Sequence, residues 1–171
     1  RIACERIVLA VNPCVLIGGL GMGFTLAAAL EQLGATASVV VAELVPGVVE
    51  WNRGPLGQHA DFPVRDPRVE VHECDVAELI GAGRQRYNAI LLDVDNGPDG
   101  LTREENDGLY SMLGLTAAHV ALRPMGVLAI WSAHPDRKFT ERLRSCGFSV
   151  EEVPVRAHGN KGARHLIWLA T

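Results

Sequence analysis

An apolar run that opens abruptly into glycine, VLIGGLGMGFTLAAAL from Val15 to Leu30, constrains this chain more than any other stretch. Val15, Leu16 and Ile17 show no polar alternation, so the strand they form must be covered on both faces, as in a parallel sheet sandwiched by helices. Gly18, Gly19, Gly21 and Gly23 follow, and Leu26, Leu30 and Leu33 then recur at helical spacing before Gly34 stops the helix. The reading is strand, tight turn, helix. Glycine permits a sharp backbone turn and lets a ligand approach N–H groups that a Cβ would shield, and the helix N-terminus adds a partial positive charge. The turn therefore reads as a nucleotide-type binding loop, with a turn that serves only helix–sheet packing as the alternative.

The rest of the chain repeats the unit. Strand patterns run over Cys14 to Ile17, Ser38 to Leu44, Arg68 to Glu73, Ala89 to Asp93, Val127 to Ser132, Phe148 to Val155 and His165 to Ala170. Helical patterns run over Phe24 to Leu33, Pro46 to Arg53, Val76 to Ile80, Asn106 to Leu122 and Asp136 to Ser145. A loop, Arg156 to Ala163, joins the last two strands, so strand–helix alternation gives way to a hairpin. A six-stranded dinucleotide-binding sheet would continue strand–helix to its end. The order instead resembles the class I methyltransferase sheet. The expected fold is a Rossmann-like α/β sandwich whose seven-stranded, mostly parallel sheet ends in an antiparallel hairpin, and residues 1–171 are expected to form one domain.

Composition supports this and excludes other classes. Hydrophobic residues make up 48% and aromatics 5%, the mixture of Val, Leu, Ala and Gly that buried parallel strands require. The net charge is −4 with no dense basic block, which argues against nucleic acid and anionic membranes as partners. No apolar run reaches the roughly 18 residues of a membrane span. Cys4, Cys14, Cys74 and Cys146 stand apart with no C-x-x-C pair and read as free thiols, which suits a reducing cytoplasm. The six histidines show no metal-ligand spacing, and no metal is expected.

Three acids close successive strands. Glu43, at the end of the second, can accept hydrogen bonds from both hydroxyls of a ribose. Asp75, after the third, can accept a hydrogen bond from an exocyclic amine such as that of adenine, cap the helix that follows, or do both through its two oxygens. Asp93 closes the fourth, followed by Asp95, Asn96 and Asp99. Clustered carboxylates there can hold a cationic amine, take a proton from a nucleophile or bind a hard cation, while Asp95 and Asp99 read equally well as solvated turn acids.

Taken together these motifs resemble the spermidine and spermine synthases, aminopropyltransferases on the class I methyltransferase fold. The family's G-G-G-D-G-G turn is matched by GGLGMG, its E-I-D-x-x-V-V-E by Glu43 to Glu50, and its D-P-R-V by Asp66 to Val69. A following G-D is matched by Cys74-Asp75, Y-D-V-I-I-x-D-x-x-D-P by Tyr87 to Pro98, F-Y by Leu109-Tyr110, and L-x-P-x-G-V-L by Leu122 to Leu128. The resemblance implies that Gly18, Gly19, Gly21, Gly23, Glu43, Asp75 and Asp93 bind S-adenosylmethionine or its decarboxylated form as co-substrate. It also places Asp93 at the catalytic acid, with Asp95 and Tyr110 as further catalytic candidates.

A small-molecule amine or another nucleophile is the implied acceptor, with a homodimer left open. Gly21 stands where the family has an aspartate, and Asp95 lies one position early for the family's second loop acid. The family's N-terminal β-hairpin domain is expected to be absent or missing, since thirteen residues precede Cys14. Tyr110 and Trp131 can flank an amine or serve as core. Methyl transfer to an unknown acceptor, and a noncatalytic nucleoside-binding domain, are the alternative functions.

Overall fold

The computed structural model describes residues 1–7, 10–94, 106–158 and 161–171. In chain order the elements are α1 (Ile2–Arg6), β1 (Cys14–Gly18), α2 (Phe24–Gln32), β2 (Ser38–Ala42), α3 (Pro46–Arg53), β3 (Val69–His72) and α4 (Val76–Ala82). They continue with β4 (Tyr87–Leu92), α5 (Asn106–Leu109), α6 (Met112–Ala121), β5 (Leu122–Ser132), α7 (Arg137–Ser145), β6 (Val150–His158) and β7 (Lys161–Ala170). The strands form one sheet in the order β3-β2-β1-β4-β5-β7-β6. All neighbours are parallel except β7, which runs antiparallel to both β5 and β6. This is the expected mostly parallel sheet with a terminal hairpin.

Period-2 alternation divides the core. Leu16, Val40, Ile90, Leu92, Leu128 and Ile130 face α4, α6 and α7 in one buried cluster. Val15, Ile17, Val39, Val41, Leu91 and Ala129 face α1 and α2 in the other. Because both faces are covered, the strands need the continuous apolar runs seen in the sequence. Each fully buried Leu, Ile or Val contributes roughly 1.5–3 kcal/mol relative to exposure.

Local chemistry sets the helix starts. Pro46 opens α3 without forfeiting an intrahelical hydrogen bond. Asp75, Ser111 and Asp136 cap α4, α6 and α7 by accepting from Ala77 N, Gly114 N and Lys138 N at 2.8, 3.1 and 2.8 Å.

Three expectations need correction. The helix anticipated over Asn106 to Leu122 is two helices, because Ser111 caps a second start and Gly114 packs so tightly that a Cβ there would lie 2.3 Å from Gly108 O. Leu122 belongs to β5, whose register with β4 jumps from Tyr87↔Leu122 to Ala89↔Val127. Arg123 to Gly126, which separates the expected helix from the expected strand, is therefore a bulge inside β5, with Met125 at φ 66°. The hairpin strands reach further than expected, to His158 and from Lys161, which shortens the loop between them.

The order β2-β1-β4-β5 fixes where a ligand can sit. The chain leaves β1 towards β2 on one side and returns to β4 on the other, so the connections diverge between β1 and β4. Open α/β sheets bind ligands in the crevice outside the strand carboxyl ends at this switch point. The residues placed there are the glycine turn after β1 and Asp93 after β4.

Candidate functional site

The turn after β1 is pinned on both sides. Gly19 N donates to Ala42 O at 2.9 Å, and Asp93 N donates to Gly18 O at 3.0 Å. Gly19, Gly21 and Gly23 have φ of 85°, 50° and 81°, a region that L side chains rarely adopt. The glycines nevertheless serve different ends. A Cβ on Gly18 would lie 2.9 Å from Val76 Cγ2, one on Gly19 2.7 Å from Asp93 O, and one on Gly23 2.9 Å from Asn52 Oδ1. Those three are required by packing. At Gly21 no described atom lies within 4 Å of that position, so the tip of the turn faces open space.

Glu43 is 8% exposed and belongs to the turn as much as to β2. Its Oε2 accepts from Leu20 N and its Oε1 from Val45 N, both at 2.9 Å. Two backbone donors offset the cost of burying the charge. Each oxygen keeps a further lone pair, the capacity that two ribose hydroxyls would use.

Asn52, which the sequence reading missed, is fully buried on α3. Its Nδ2 donates to Gly21 O at 2.8 Å and to Val48 O at 2.9 Å, bracing the turn from below. The available signal was an uncharged amide three residues after Val49, on the helix face that enters the core.

Asp75 is half-buried and directs Oδ1 to Ala77 N as the cap of α4, leaving Oδ2 free of that role. Asp93 is exposed at the end of β4, and Thr25 of α2 donates to its Oδ2 at 2.6 Å. Thr25 is a second residue missed in the sequence, since nothing local distinguishes it from other helix-opening threonines.

Tyr110 is 3% exposed in the cluster on the α4–α6–α7 face. It stands edge-on to Phe139 with centroids 5.6 Å apart and does not line the cleft beside Asp93. Asp95 lies outside the described residues, as does Asp99. The structure thus brings together the glycine turn, Glu43 and Asp93, while Tyr110 packs into the core cluster of the α4–α6–α7 face.

Beside Asp93 a cleft of about 230 Å³ opens between α1, α2 and the ends of β4, β5 and β7. Strand register builds its floor. Leu91 pairs with Ala129, Leu92 with Ile130, and Trp131 with Ile167, so one step further along β4 sets Asp93 beside Trp131 on the face shared with Ala129 and Ile167. Thr25 and Ala28 of α2 form a wall, and Phe24, 55% exposed, stands at the rim. The half-buried Trp131 ring lies against His165, with centroids 5.0 Å apart and planes at 37°. A larger depression of about 590 Å³ lies at the amino ends of β4 and β5, lined by Arg84, Arg123 and Met125 among others. It is at the wrong end of the sheet for a ligand of this topology.

The D-P-R-V segment is a clamp. Asp66 accepts from Arg68 through its backbone N, Nε and Nη2 at 2.9, 2.9 and 2.8 Å, while Arg68 Nη1 donates to Leu33 O at 2.6 Å at the end of α2. The Arg68 guanidinium holds the Asp66 carboxyl below its ordinary value. Burial pushes the thiols of Cys4, Cys14 and Cys74 upward, which keeps them protonated and unreactive near neutrality. Among the described residues no group of three or more His, Cys, Asp and Glu could hold a metal ion, and no helix is long and apolar enough to cross a membrane.

No family model matches the sequence, and no curated protein matches it. Solved structures do. The chain is 20% identical to the spermidine synthase of Thermotoga maritima, with a TM-score of 0.75 over 98% of this chain and 56% of that one. A spermidine synthase in complex with the transition-state analogue AdoDATO gives 20%, 0.74, 98% and 56%. Human methyltransferase-like protein 13 in complex with SAH gives 20%, 0.67, 98% and 78%. The chain spans just over half the length of those spermidine synthases. With strand order, terminal hairpin and structural likeness in agreement, the chain has the Rossmann-like fold of the class I methyltransferases.

Proposed function

We propose that residues 1–171 form a nucleoside-binding transferase domain that takes S-adenosylmethionine or its decarboxylated form and transfers an aminopropyl group to an amine. The observation that carries this reading is the fixing of two carboxylates, Glu43 and Asp93, on either side of the glycine turn at the switch point. The residues present fit such a ligand. Gly21 leaves open space at the turn, and Glu43 keeps one lone pair per oxygen for a ribose. The structural likeness to a spermidine synthase holding AdoDATO and a methyltransferase holding SAH supports the same class of ligand.

When bound, the sulfonium nucleoside supplies a carbon activated by a positively charged leaving sulfur. The chain supplies position and proton handling. Asp93 attracts an ammonium to the end of β4 and accepts a proton from it, directly or through water, so that the nitrogen regains its lone pair. Thr25 holds one Asp93 oxygen and so restricts the direction of the other. Glu43 and Asn52 keep the turn in shape before any ligand arrives, which limits the ordering cost of binding.

A second reading, methyl transfer, is favoured by Gly21, which offers no carboxylate where the spermidine synthase pattern has one. Isothermal titration with S-adenosylmethionine, decarboxylated S-adenosylmethionine and methylthioadenosine tests the nucleoside assignment. Product analysis by mass spectrometry with amines then separates the two reactions. Preference for the decarboxylated form, and an aminopropylated amine product lost in Asp93→Asn, are expected. Methylated product alone overturns aminopropyl transfer.

A further inference from the structure

We infer that the cleft beside Asp93 binds an amine carrying one positive charge and a flat apolar body, such as an arylalkylamine, in preference to a diamine. This rests on the nucleoside-transferase reading and specifies its acceptor. Among the described residues the polar lining of the cleft is Asp93, Thr25 and Arg1, and Arg1 reaches Glu5 at 3.7 Å, so Asp93 is the acid that faces an amine. Thr25 occupies part of Oδ2, so Asp93 presents mainly its other oxygen, enough for one ammonium.

Beyond Asp93 the character changes at once. Trp131 and Ile167 continue its row, and Ala28 and Ala129 leave a slot between α2 and the sheet. Among the described lining residues Asp93 is the sole carboxylate. Among the described residues a second ammonium pushed into that slot would lose water without gaining an acid and would meet the positive charge of Arg1, costs that an apolar ring does not incur. The ring gains instead. Trp131 is already steadied by His165, and Phe24 stands exposed at the rim, so aromatic surface is available on the wall and at the entrance. Aromatic contact and ring burial reward a flat body, and the Trp131 face also favours the cation beside it.

The test uses the full chain with saturating methylthioadenosine, titrated calorimetrically with 2-phenylethylamine, 1,4-diaminobutane and the uncharged 2-phenylethanol. 2-Phenylethylamine is expected to bind at least roughly tenfold more tightly than either comparator. Trp131→Leu is expected to weaken it by about fivefold or more while leaving methylthioadenosine affinity unchanged. Ala28→Leu, which fills the slot from a partly exposed helix position, is expected to do the same without disturbing the strand.

Equal or tighter binding of the diamine overturns the inference. Binding of methylthioadenosine with no binding of 2-phenylethylamine overturns the inference alone. Failure to bind methylthioadenosine, read in its own titration, overturns the nucleoside reading and the inference with it.

Discussion

The hydroxyl of Thr25 donates to Oδ2 of Asp93 across 2.6 Å, tying the first turn of α2 to the end of β4. The glycine turn and α2 therefore share one rigid frame with the acid they flank. Thr25→Val removes the donor and keeps the shape. It is expected to weaken 2-phenylethylamine binding by about threefold to tenfold with methylthioadenosine affinity intact, and Thr25→Ser to restore it. An unchanged amine affinity in Thr25→Val would show that the bond does not position Asp93.

Glu43 faces two backbone donors, so its variants separate structure from recognition. Glu43→Gln retains one carbonyl acceptor and leaves either Leu20 N or Val45 N without a partner, at a cost of about 1–3 kcal/mol. Glu43→Ala removes both acceptors and is expected to cost more. Urea denaturation with the slope held constant measures this. Equal stability in wild type and both variants would refute the hydrogen bonding described for Glu43.

The four glycines differ in what they tolerate. Gly19→Ala combines left-handed backbone with a Cβ 2.7 Å from Asp93 O, and is expected to lose at least about 2 kcal/mol of stability. Gly21→Asn has room, and asparagine accepts this conformation, so about 1 kcal/mol or less is expected. Its effect appears in binding, where a side chain projecting from the turn is expected to reduce methylthioadenosine affinity by about tenfold. The opposite ranking of stabilities would contradict the packing at Gly19.

Asp66 sets a dependence on acid. Because Arg68 lowers the carboxyl below its unfolded value of 3.8, the associated stability is complete above that pH and is lost as pH falls through the lower folded value. Urea denaturation at about pH 6 and about pH 3 is expected to show a smaller acid-induced loss in Asp66→Asn than in wild type. Identical losses would mean that the clamp contributes nothing.

The elements most legible in the sequence were those fixed locally. Pro46–Arg53 keeps the bounds read from the sequence, and proline stands at its first helical position. Capping is one of the two roles open to Asp75 in the sequence, and Asp136, the first residue of an expected helical pattern, is the cap of α7. The helix Ile2–Arg6 was missed. Five residues have little intrinsic helicity, and this helix is held by Ala3 and Cys4, with Ile7 just beyond it, packing against the sheet.

The site divides in the same way. Glu43 and Asp93 follow from strand ends, but their partners Leu20 N and Thr25 come from other elements and need the sheet order to be seen. The motif resemblance also carries structural content. The Asp66–Arg68 pair in D-P-R-V is a clamp on α2, and Gly18, Gly19 and Gly23 are demanded by neighbouring atoms, which leaves Gly21 as the one glycine of the turn whose side faces open space.

The central claim is tested most directly by calorimetric titration of the full chain with S-adenosylmethionine, its decarboxylated form, methylthioadenosine and NAD. Saturable binding of at least one sulfonium or thioether nucleoside is expected, weakened in Glu43→Ala, with NAD giving no saturable heat. Saturable NAD binding with no response to any of the three nucleosides would contradict it.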